Sequence, residues 1–505
     1  DAVDAQEIGG IAGVWHNQND TTVTMTNCTF TGKLKTNIAD VDFYYGGLVG
    51  KPYSKSGTGI LWLNGNKCLA NGIIEDENGN LVVNSLDSLE EALKTAGAAG
   101  AGDTTIVFAE NTNINMTNAE WTPIKVDGYH GADIVTIEGN GAVITGLKAP
   151  LFAGGFAGGS GIVIKDLTIK DSDIVSANTL GSGAFIESVD SMAKIELTNC
   201  HLLNSTVTGG AGSRTGGLIG WTAGYNNVND GPVKTYVTID NCSVVGCTIQ
   251  CDGSVGGING HAGNNAWTYT TIKNCTIQNN NLNSTDDGEW RTGVVVGTAN
   301  VGEVTISNIT ESGNTLTQTG KTAPTGYLRN YYGRFVPGTT GKLTIDGYKV
   351  VAEGKLEDAE GNTIATNVAG LKDALKEGED VILADDMAIK SSESESNSYG
   401  KTGINMTNGG TIDGGGNDIS INAWSTWDCA INTTGGTIKN INVTGGMRGI
   451  FVNHNSDNCS KVYLENVVVD GTVYTISCDQ GTNKGLEAIN STFNGWTSYA
   501  ATLGD

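Results

Sequence analysis

A glycine-framed unit that returns along the chain limits the possible folds more than any other feature. Gly-Gly-apolar-x-Gly stands at Gly9-Gly10-Ile11-Ala12-Gly13, Gly46-Gly47-Leu48-Val49-Gly50, Gly216-Gly217-Leu218-Ile219-Gly220 and Gly256-Gly257-Ile258-Asn259-Gly260. A degenerate copy is Gly293-Val294-Val295-Val296-Gly297. Within each run the copies lie 37, 40 and 37 residues apart (Gly9 to Gly46, Gly216 to Gly256, Gly256 to Gly293), a period that signals a solenoid in which each repeat covers the apolar face of the next. Between them an Asn-Cys pair recurs at Asn27-Cys28, Asn199-Cys200, Asn241-Cys242 and Asn274-Cys275. A residue that returns at one point of a repeat stacks on itself along the axis. The pattern therefore predicts an inward thiol ladder beside an Asn ladder.

The segments around these units alternate apolar and polar residues, as in Val237-Thr238-Ile239-Asp240-Asn241-Cys242, the period of a strand with one buried face. Ile162 to Ile169 and Val462 to Val469 repeat the pattern with an acidic or Asn residue at a bend. Glycine pairs permit positive φ at corners, and no Asn-Gly hairpin signal is expected to join the short strands. With 73 Gly, 6 Pro and 38% apolar residues, the chain is too apolar for disorder and rich in turns. The fold class expected is all-β: a right-handed parallel β-helix, a solenoid of tandem modules, each opened by a short capping α-helix.

A longer repeat lies over the short one. Ile74-Glu75-Asp76-Glu77-Asn78-Gly79-Asn80 matches Leu356-Glu357-Asp358-Ala359-Glu360-Gly361-Asn362. Leu89-Glu90-Glu91-Ala92-Leu93-Lys94 matches Leu371-Lys372-Asp373-Ala374-Leu375-Lys376 in the same register. Farther on, Thr136-Ile137-Glu138-Gly139-Asn140-Gly141 pairs with Thr411-Ile412-Asp413-Gly414-Gly415-Gly416. Agreement over ordered blocks marks a duplicated module. Leu86, Leu89 and Leu93 share one helical face, as do Val368, Leu371 and Leu375. Ser88-x-x-Glu91 matches a capping box, and Asn367 can act as an N-cap. Such a helix would cover the open end of a solenoid. The division expected is 1–78 as the last coils of a truncated module, 79–359 as a complete module and 360–505 as the head of another. On that division the chain reads as a piece of a longer array.

With 29 basic and 54 acidic residues the net charge is −25, which repels phosphate backbones and argues against a nucleic-acid partner. No run approaches the ~18 apolar residues that a membrane span needs. Ten Cys are present, but Cys242, Cys247 and Cys251 lack paired C-x-x-C spacing, and neither a disulfide framework nor a zinc site is expected.

The Gly-Gly-Leu-x-Gly units resemble the GLUG motif of bacterial surface and secreted proteins. The opening helix followed by Ile137-Glu138-Gly139-Asn140-Gly141 or Ile412-Asp413-Gly414-Gly415-Gly416 looks like the entry of the pectate-lyase-like right-handed β-helix superfamily. The resemblance implies an extracellular protein at the cell surface of a bacterium. It leaves function open, because that superfamily holds lyases, glycoside hydrolases, phage tailspikes and adhesins.

Chemistry would need paired carboxylates, or an Asp cluster with Arg or Lys on one coil face. The acidic groupings are Asp171/Asp173, Asp286/Asp287/Glu289 and Asp385/Asp386. Asp286 to Arg291 is the best of them, since Trp290 could stack on a sugar and Arg291 could hold a carboxylate, although the stretch reads first as a solvated loop. His130 precedes the first coil. His454, near Arg448, reads as an exposed turn residue. Asp413-Gly414-Gly415-Gly416-Asn417-Asp418-Ile419 comes near a calcium nonapeptide but stands alone, so it reads as a coil corner. Calcium is thus a weak expectation, and no other cofactor is implied.

Trp62, Trp221, Trp267, Trp290, Trp424, Trp427 and Trp496, with Tyr44-Tyr45 and Tyr331-Tyr332, fall in or beside turns. There they could stack on glycans or cover coil ends. Asp171/Asp173 has no acidic counterpart in the second copy, near Val443–Met447. The reading adopted is a surface stalk or adhesin that engages host or bacterial glycans or other surface proteins. A polysaccharide-degrading enzyme, lyase or glycoside hydrolase, is the alternative, and a tailspike the third. No catalytic, metal-ligating or defined binding residue is assigned.

Overall fold

The computed structural model describes residues 11–16, 22–28, 49–53, 60–63, 65–68, 73–96, 102–125, 134–153, 155–156, 160–190, 192–227, 231–397, 400–421, 428–454, 458–481, 484–495 and 501–503. The described chain is mostly strand with two α-helices, and most of its strand pairs are parallel. Among the described residues no helix is long and apolar enough to cross a membrane. The chain divides into two compact units, 1–322 with 332–342, and 323–331 with 343–505.

In the first unit the coils build three stacks of parallel strands. The first stack runs through Thr104–Phe108, Ile134–Thr145, Gly161–Lys170, Lys194–Thr198, Thr235–Asp240, Thr268–Lys273 and Glu303–Ser307. Register aligns Ile106, Ile137, Ile164, Leu197, Ile239, Ile272 and Ile306 in one column, and all of them are fully buried. At ~1.5–3 kcal/mol for each buried aliphatic side chain, this column is a principal term in stability.

The column ends at a bend whose residue is left-handed: Asn140 (φ 51), Asp166 (φ 53), Asn199 (φ 52), Asn241 (φ 53), Asn274 (φ 55) and Asn308 (φ 52). Asn and Asp tolerate this region best after Gly. Their side chains also link coils. Asn199 Nδ2 donates to Asp166 Oδ1 at 2.5 Å, Asn241 to Asn199 at 3.2 Å and Asn308 to Asn274 at 2.7 Å. Cys200, Cys242 and Cys275 follow on the inner side as buried thiols. Contact with a neighbouring thiol, together with burial, pushes Cys242 and Cys275 above the usual thiol range.

A second ladder, for which the sequence offers no constant residue, lies at the next bend. Each backbone N–H there donates to a side chain of the following coil: Leu147 to Ser172 Oγ (3.0 Å), Ser172 to Ser205 Oγ (3.1 Å), Ser205 to Cys247 Sγ (3.5 Å), Cys247 to Asn280 Oδ1 (2.8 Å) and Asn280 to Asn314 Oδ1 (3.1 Å). Cys242 and Cys247 thus belong to different bends, while Cys251 sits in the strand Thr248–Gly256 of the second stack.

The Gly-Gly units form the turn from the second stack (Asp173–Val175, Thr206–Gly216, Thr248–Gly256, Asn281–Ser284, Thr315–Gln318) to the third (Ile186–Asp190, Ile219–Ala223, Asn259–Ala262, Val296–Ala299, Tyr332–Phe335). A Cβ on Gly216 would lie 2.1 Å from Ile219 O, and one on Gly260 2.5 Å from the Arg214 carbonyl carbon. Backbone meets backbone there, so only glycine fits. The apolar residue between, Leu218, Ile258 or Val295, is fully buried in the core. The first two units, at Gly9 and Gly46, fall largely outside the described residues.

The second unit repeats the plan. Val381, Ile412, Ile438 and Leu464 form one buried column, and Ile404, Ile431, Ile450 and Ile476 form another. Asn440 and Asn466 occupy left-handed bends, with Asn466 Nδ2 donating to Asn440 Oδ1 at 2.9 Å.

The duplication extends to individual bonds. Asp76 Oδ1 accepts from the Asn78 and Asn80 amides at 2.9 and 2.8 Å, and Asp358 Oδ1 from Glu360 and Asn362 at 3.0 and 2.8 Å. Lys67–Glu75 (3.0 Å) has its counterpart in Lys349–Glu357 (3.1 Å). These bonds sit in antiparallel runs, Asn66–Cys68 to Ile74–Glu75 to Leu81–Val83 and Tyr348–Ala352 to Lys355–Glu357 to Thr363–Ala365. Such hairpins depart from the all-parallel expectation. Their turns are carried by Gly79 (φ 82) and Gly361 (φ 85), so Asn78-Gly79 does sit in a turn between antiparallel strands.

Each hairpin run leads into a helix, α1 (Leu86–Ala96) or α2 (Val368–Lys376). Asn367 Oδ1 caps α2 by accepting from Gly370 N at 2.9 Å. The cap of α1 is Ser85 rather than Ser88: Ser85 Oγ accepts from Ser88 N at 3.2 Å, while Ser88 Oγ accepts from Ser85 N at 3.0 Å. The reciprocal pair lies one turn earlier than the Ser-x-x-Glu match predicts.

Candidate functional site

In the first unit, the third stack carries a column that comes directly after the last glycine of each unit. Register runs Trp221 to His261 to Thr298 to Arg334. The second stack carries Arg214 beside Ser254, and Val255 N donates to Arg291 O at 3.0 Å. Ser254 Oγ and Thr298 Oγ1, 2.7 Å apart, join the two columns. The glycines bring them this close, because a side chain in the arc would hold the strands apart.

His261 is 6% exposed and Trp221 7% exposed. Four buried nitrogens in this corner have no hydrogen-bond partner: Trp221 Nε1, Asn259 Nδ2, His261 Nε2 and Arg291 Nε. A buried unpaired polar atom costs ~1–3 kcal/mol, and several in one place call for an explanation. Burial first, then the guanidiniums of Arg214, Arg291 and Arg334, push the imidazole down to about 3, so it is neutral at physiological pH.

Two of these arginines have counter-ions. Arg291 Nη1 lies 3.3 Å from Asp286 Oδ2, and Arg334 Nε lies 2.5 Å from Glu289 Oε2. Asp286 Oδ2 accepts no hydrogen bond, so it faces Arg291 as a counter-charge alone. Arg214 has no ion pair among the described residues, and burial with the neighbouring Arg291 lowers its pKa. The corner therefore holds one uncompensated cation beside neutral, unpaired donors.

The Asp286–Arg291 stretch is a loop with Asp287 and Glu289 exposed, and it is tied down by hydrogen bonds. Asp286 Oδ1 accepts from Gly288 N at 3.0 Å, and Gln318 ties the segment down by accepting from Arg291 N (2.7 Å) and donating to Glu289 O (2.7 Å). Trp290 folds back, its indole N–H donating to Thr292 O at 2.6 Å. Asp286 and Glu289 thus lie against guanidiniums, while Asp287 is exposed.

No family model matches this chain, and no curated protein matches it. Among solved structures, it is similar to a putative immunoglobulin A1 protease from Bacteroides ovatus at 15% identity and a TM-score of 0.36, over 57% of this chain and 83% of that one. It is also similar to the A-module of a mannuronan C-5 epimerase from Azotobacter vinelandii at 10% identity and a TM-score of 0.19, over 81% of this chain and 95% of that one. Likeness at these levels carries no activity across.

The remaining candidates scatter. Asp171 is a left-handed bend residue (φ 49), and Asp173 opens the strand Asp173–Val175 as an exposed residue. Asp386 Oδ1 accepts from Asp418 N of the next coil at 2.8 Å. Asp413 accepts from Asn440 Nδ2 at 2.9 Å and faces Lys439 Nζ at 3.2 Å, which engages it as a coil corner.

His454 overturns its exposed-turn reading. It ends the strand Arg448–His454, is 2% exposed, and has both ring nitrogens bonded, Nδ1 accepting from Lys484 N and Nε2 facing Ser460 O, each at 3.0 Å. Arg448 is likewise buried, its guanidinium 4.4 Å from the Phe451 ring centroid.

Trp221 lies inside a strand rather than in a turn, Trp62 lies in the strand Ile60–Leu63, and Tyr332 is buried in Tyr332–Phe335. His130, Tyr44, Tyr45, Trp424, Trp427 and Trp496 lie outside the described residues. No group of three or more His, Cys, Asp or Glu among the described residues converges as a metal site would. An aromatic patch that no motif announces is the Tyr236–Tyr269 stack, centroids 5.1 Å apart, with Tyr236 half exposed.

A signal for His261 does exist in the repeat. Aligning the glycine units and reading the next residue yields Trp221, His261, Thr298 and, after Gly333, Arg334.

Proposed function

We propose that this chain belongs to an extracellular bacterial surface protein, a stalk or adhesin of tandem right-handed parallel β-helix modules that binds glycans. The modules would divide at 78/79 and 359/360, each opened by its capping helix. The supporting observation is the doubled opening device, with the same Asp-x-x-x-Asn bonds and the same capped helix in both copies. Repetition of a structural cap suits a protein selected for length and stiffness. The competing reading is a polysaccharide-degrading enzyme using one coil face. Against it stands the pairing of Asp286 and Glu289 with arginines. No cofactor is required by this reading.

A glycan array on the intact chain, with the same polysaccharides assayed for degradation products, tests the proposal. Binding without cleavage is expected. Cleavage abolished by Asp286→Asn or Glu289→Gln would replace it with the enzyme reading, and silence throughout would remove the glycan-binding part.

A further inference from the structure

The corner between the second and third stacks of the first unit has the composition of an anion subsite. Its guanidiniums are part-exposed, Arg291 and Arg334 at 35% and 36%, while Trp221 and His261 are more than nine-tenths buried. Charge accounting then selects the ligand. Three guanidiniums meet two carboxylates, Asp286 and Glu289, and leave Arg214 unmatched. A single negative charge completes the site, which suits a carboxylate better than a doubly charged phosphate monoester.

The rest of the corner is neutral. Trp221 Nε1 can only donate, and a neutral imidazole can donate to or accept from a hydroxyl through Nε2. A carboxylate flanked by hydroxyls is the chemistry of an acidic sugar.

Resting on the glycan-binding reading and narrowing it, we infer that Arg214, with His261 and Trp221, forms a subsite for one carboxylated saccharide residue, a uronate or a sialic acid. Arg214 takes the carboxylate, and the two neutral rings line the corner behind it with unpaired polar atoms. The protein's charge of −25 makes a cationic site of this kind selective, because an acidic glycan is repelled from the rest of the surface. Asp286 and Glu289 hold Arg291 and Arg334 in place, and their own charge keeps the corner from accepting a second anion.

The test is calorimetric titration of the full chain with tetragalacturonate, its methyl ester, sialyllactose and lactose, together with inorganic phosphate. At least one of the two acidic saccharides is expected to bind, with the ester, lactose and phosphate at least tenfold weaker. R214Q should lower the affinity for the acidic sugar at least tenfold and leave the unfolding midpoint unchanged or higher, because it removes an unmatched, half-buried cation. R214K, which keeps the charge but loses the planar fork, should fall between, and it serves as the folded control.

Which acidic saccharide binds separates the two sources. Silence from both, equal binding of ester and acid, or unchanged affinity in R214Q overturns the subsite. Binding of neutral glycans alone would leave the adhesin reading standing and remove this subsite. Degradation of an acidic glycan, with its binding still dependent on Arg214, would do the reverse.

Discussion

His261 and His454 are both buried imidazoles on strands that follow glycine turns, one in each compact unit, yet their surroundings differ. His454 has a partner on each nitrogen. His261 has an open Nε2 and three guanidiniums close enough to suppress its protonation. Burial alone does not tell these two histidines apart. Satisfaction does: the second unit uses its imidazole as a bolt between backbone segments, and the first leaves a ring nitrogen unbonded at a cost.

Glycine turns of the two units should give the largest effects. Gly260→Ala would drive a Cβ into the backbone of Arg214 and Thr215 at 2.5 Å, where nothing flexible can yield. The expected loss is about 3–4 kcal/mol in urea unfolding, with ordered coils lost around the corner. Gly409→Ala in the second unit has φ 79 and open space, so only backbone strain of about 1–2 kcal/mol is expected. Equal losses at the two sites would mean that the tight arc of the first unit is not what positions Trp221 and His261.

The histidines themselves come next. His454→Leu leaves Lys484 N and Ser460 O without the ring and should cost about 2–4 kcal/mol. His261→Leu removes a nitrogen that bonds to nothing, and should cost under about 1 kcal/mol or stabilise. Thermal unfolding of the two variants decides the matter; a larger loss at His261 would show that its Nε2 already has a partner in solution.

How far these differences can be read from sequence follows from what repeats. The Ile and Leu columns and the left-handed Asn or Asp bends recur from coil to coil, and inward thiols follow the bend on three coils (Cys200, Cys242, Cys275), so periodicity exposes them. The doubled helix is legible because Leu86, Leu89, Leu93 and their copies keep helical spacing, although the cap falls on Ser85 and not on Ser88. The corner is not legible in this way. It is assembled from residues of different type on successive coils, Trp221, His261, Thr298 and Arg334, and from a second strand that passes the glycine arc. Periodicity averages over such a column. His454 misleads because an Asn-rich flank looks exposed, whereas Ser460 and Lys484 close over the ring.

The sharpest contrast is in pH. An unfolded histidine titrates near ~6.5. Burial and the charges of Arg214, Arg291 and Arg334 push His261 in the fold down to about 3. Between those values the unfolded chain binds a proton at this site that the folded chain does not. Stability from this group is therefore fully present above pH ~6.5 and is lost as pH falls toward the folded value, by up to about 1.4 kcal/mol per pH unit. The three guanidiniums all act through this sign. Asp286 and Glu289 neutralise Arg291 and Arg334, so it is Arg214 whose removal should relieve the repulsion most. Urea unfolding at pH 7, 6 and 5 should show the slope in the parent chain and none from this site in His261→Leu. His261 Cε1 proton shifts followed over the same range should stay flat. A midpoint near 6 would place the imidazole in contact with water and dissolve the contrast with His454.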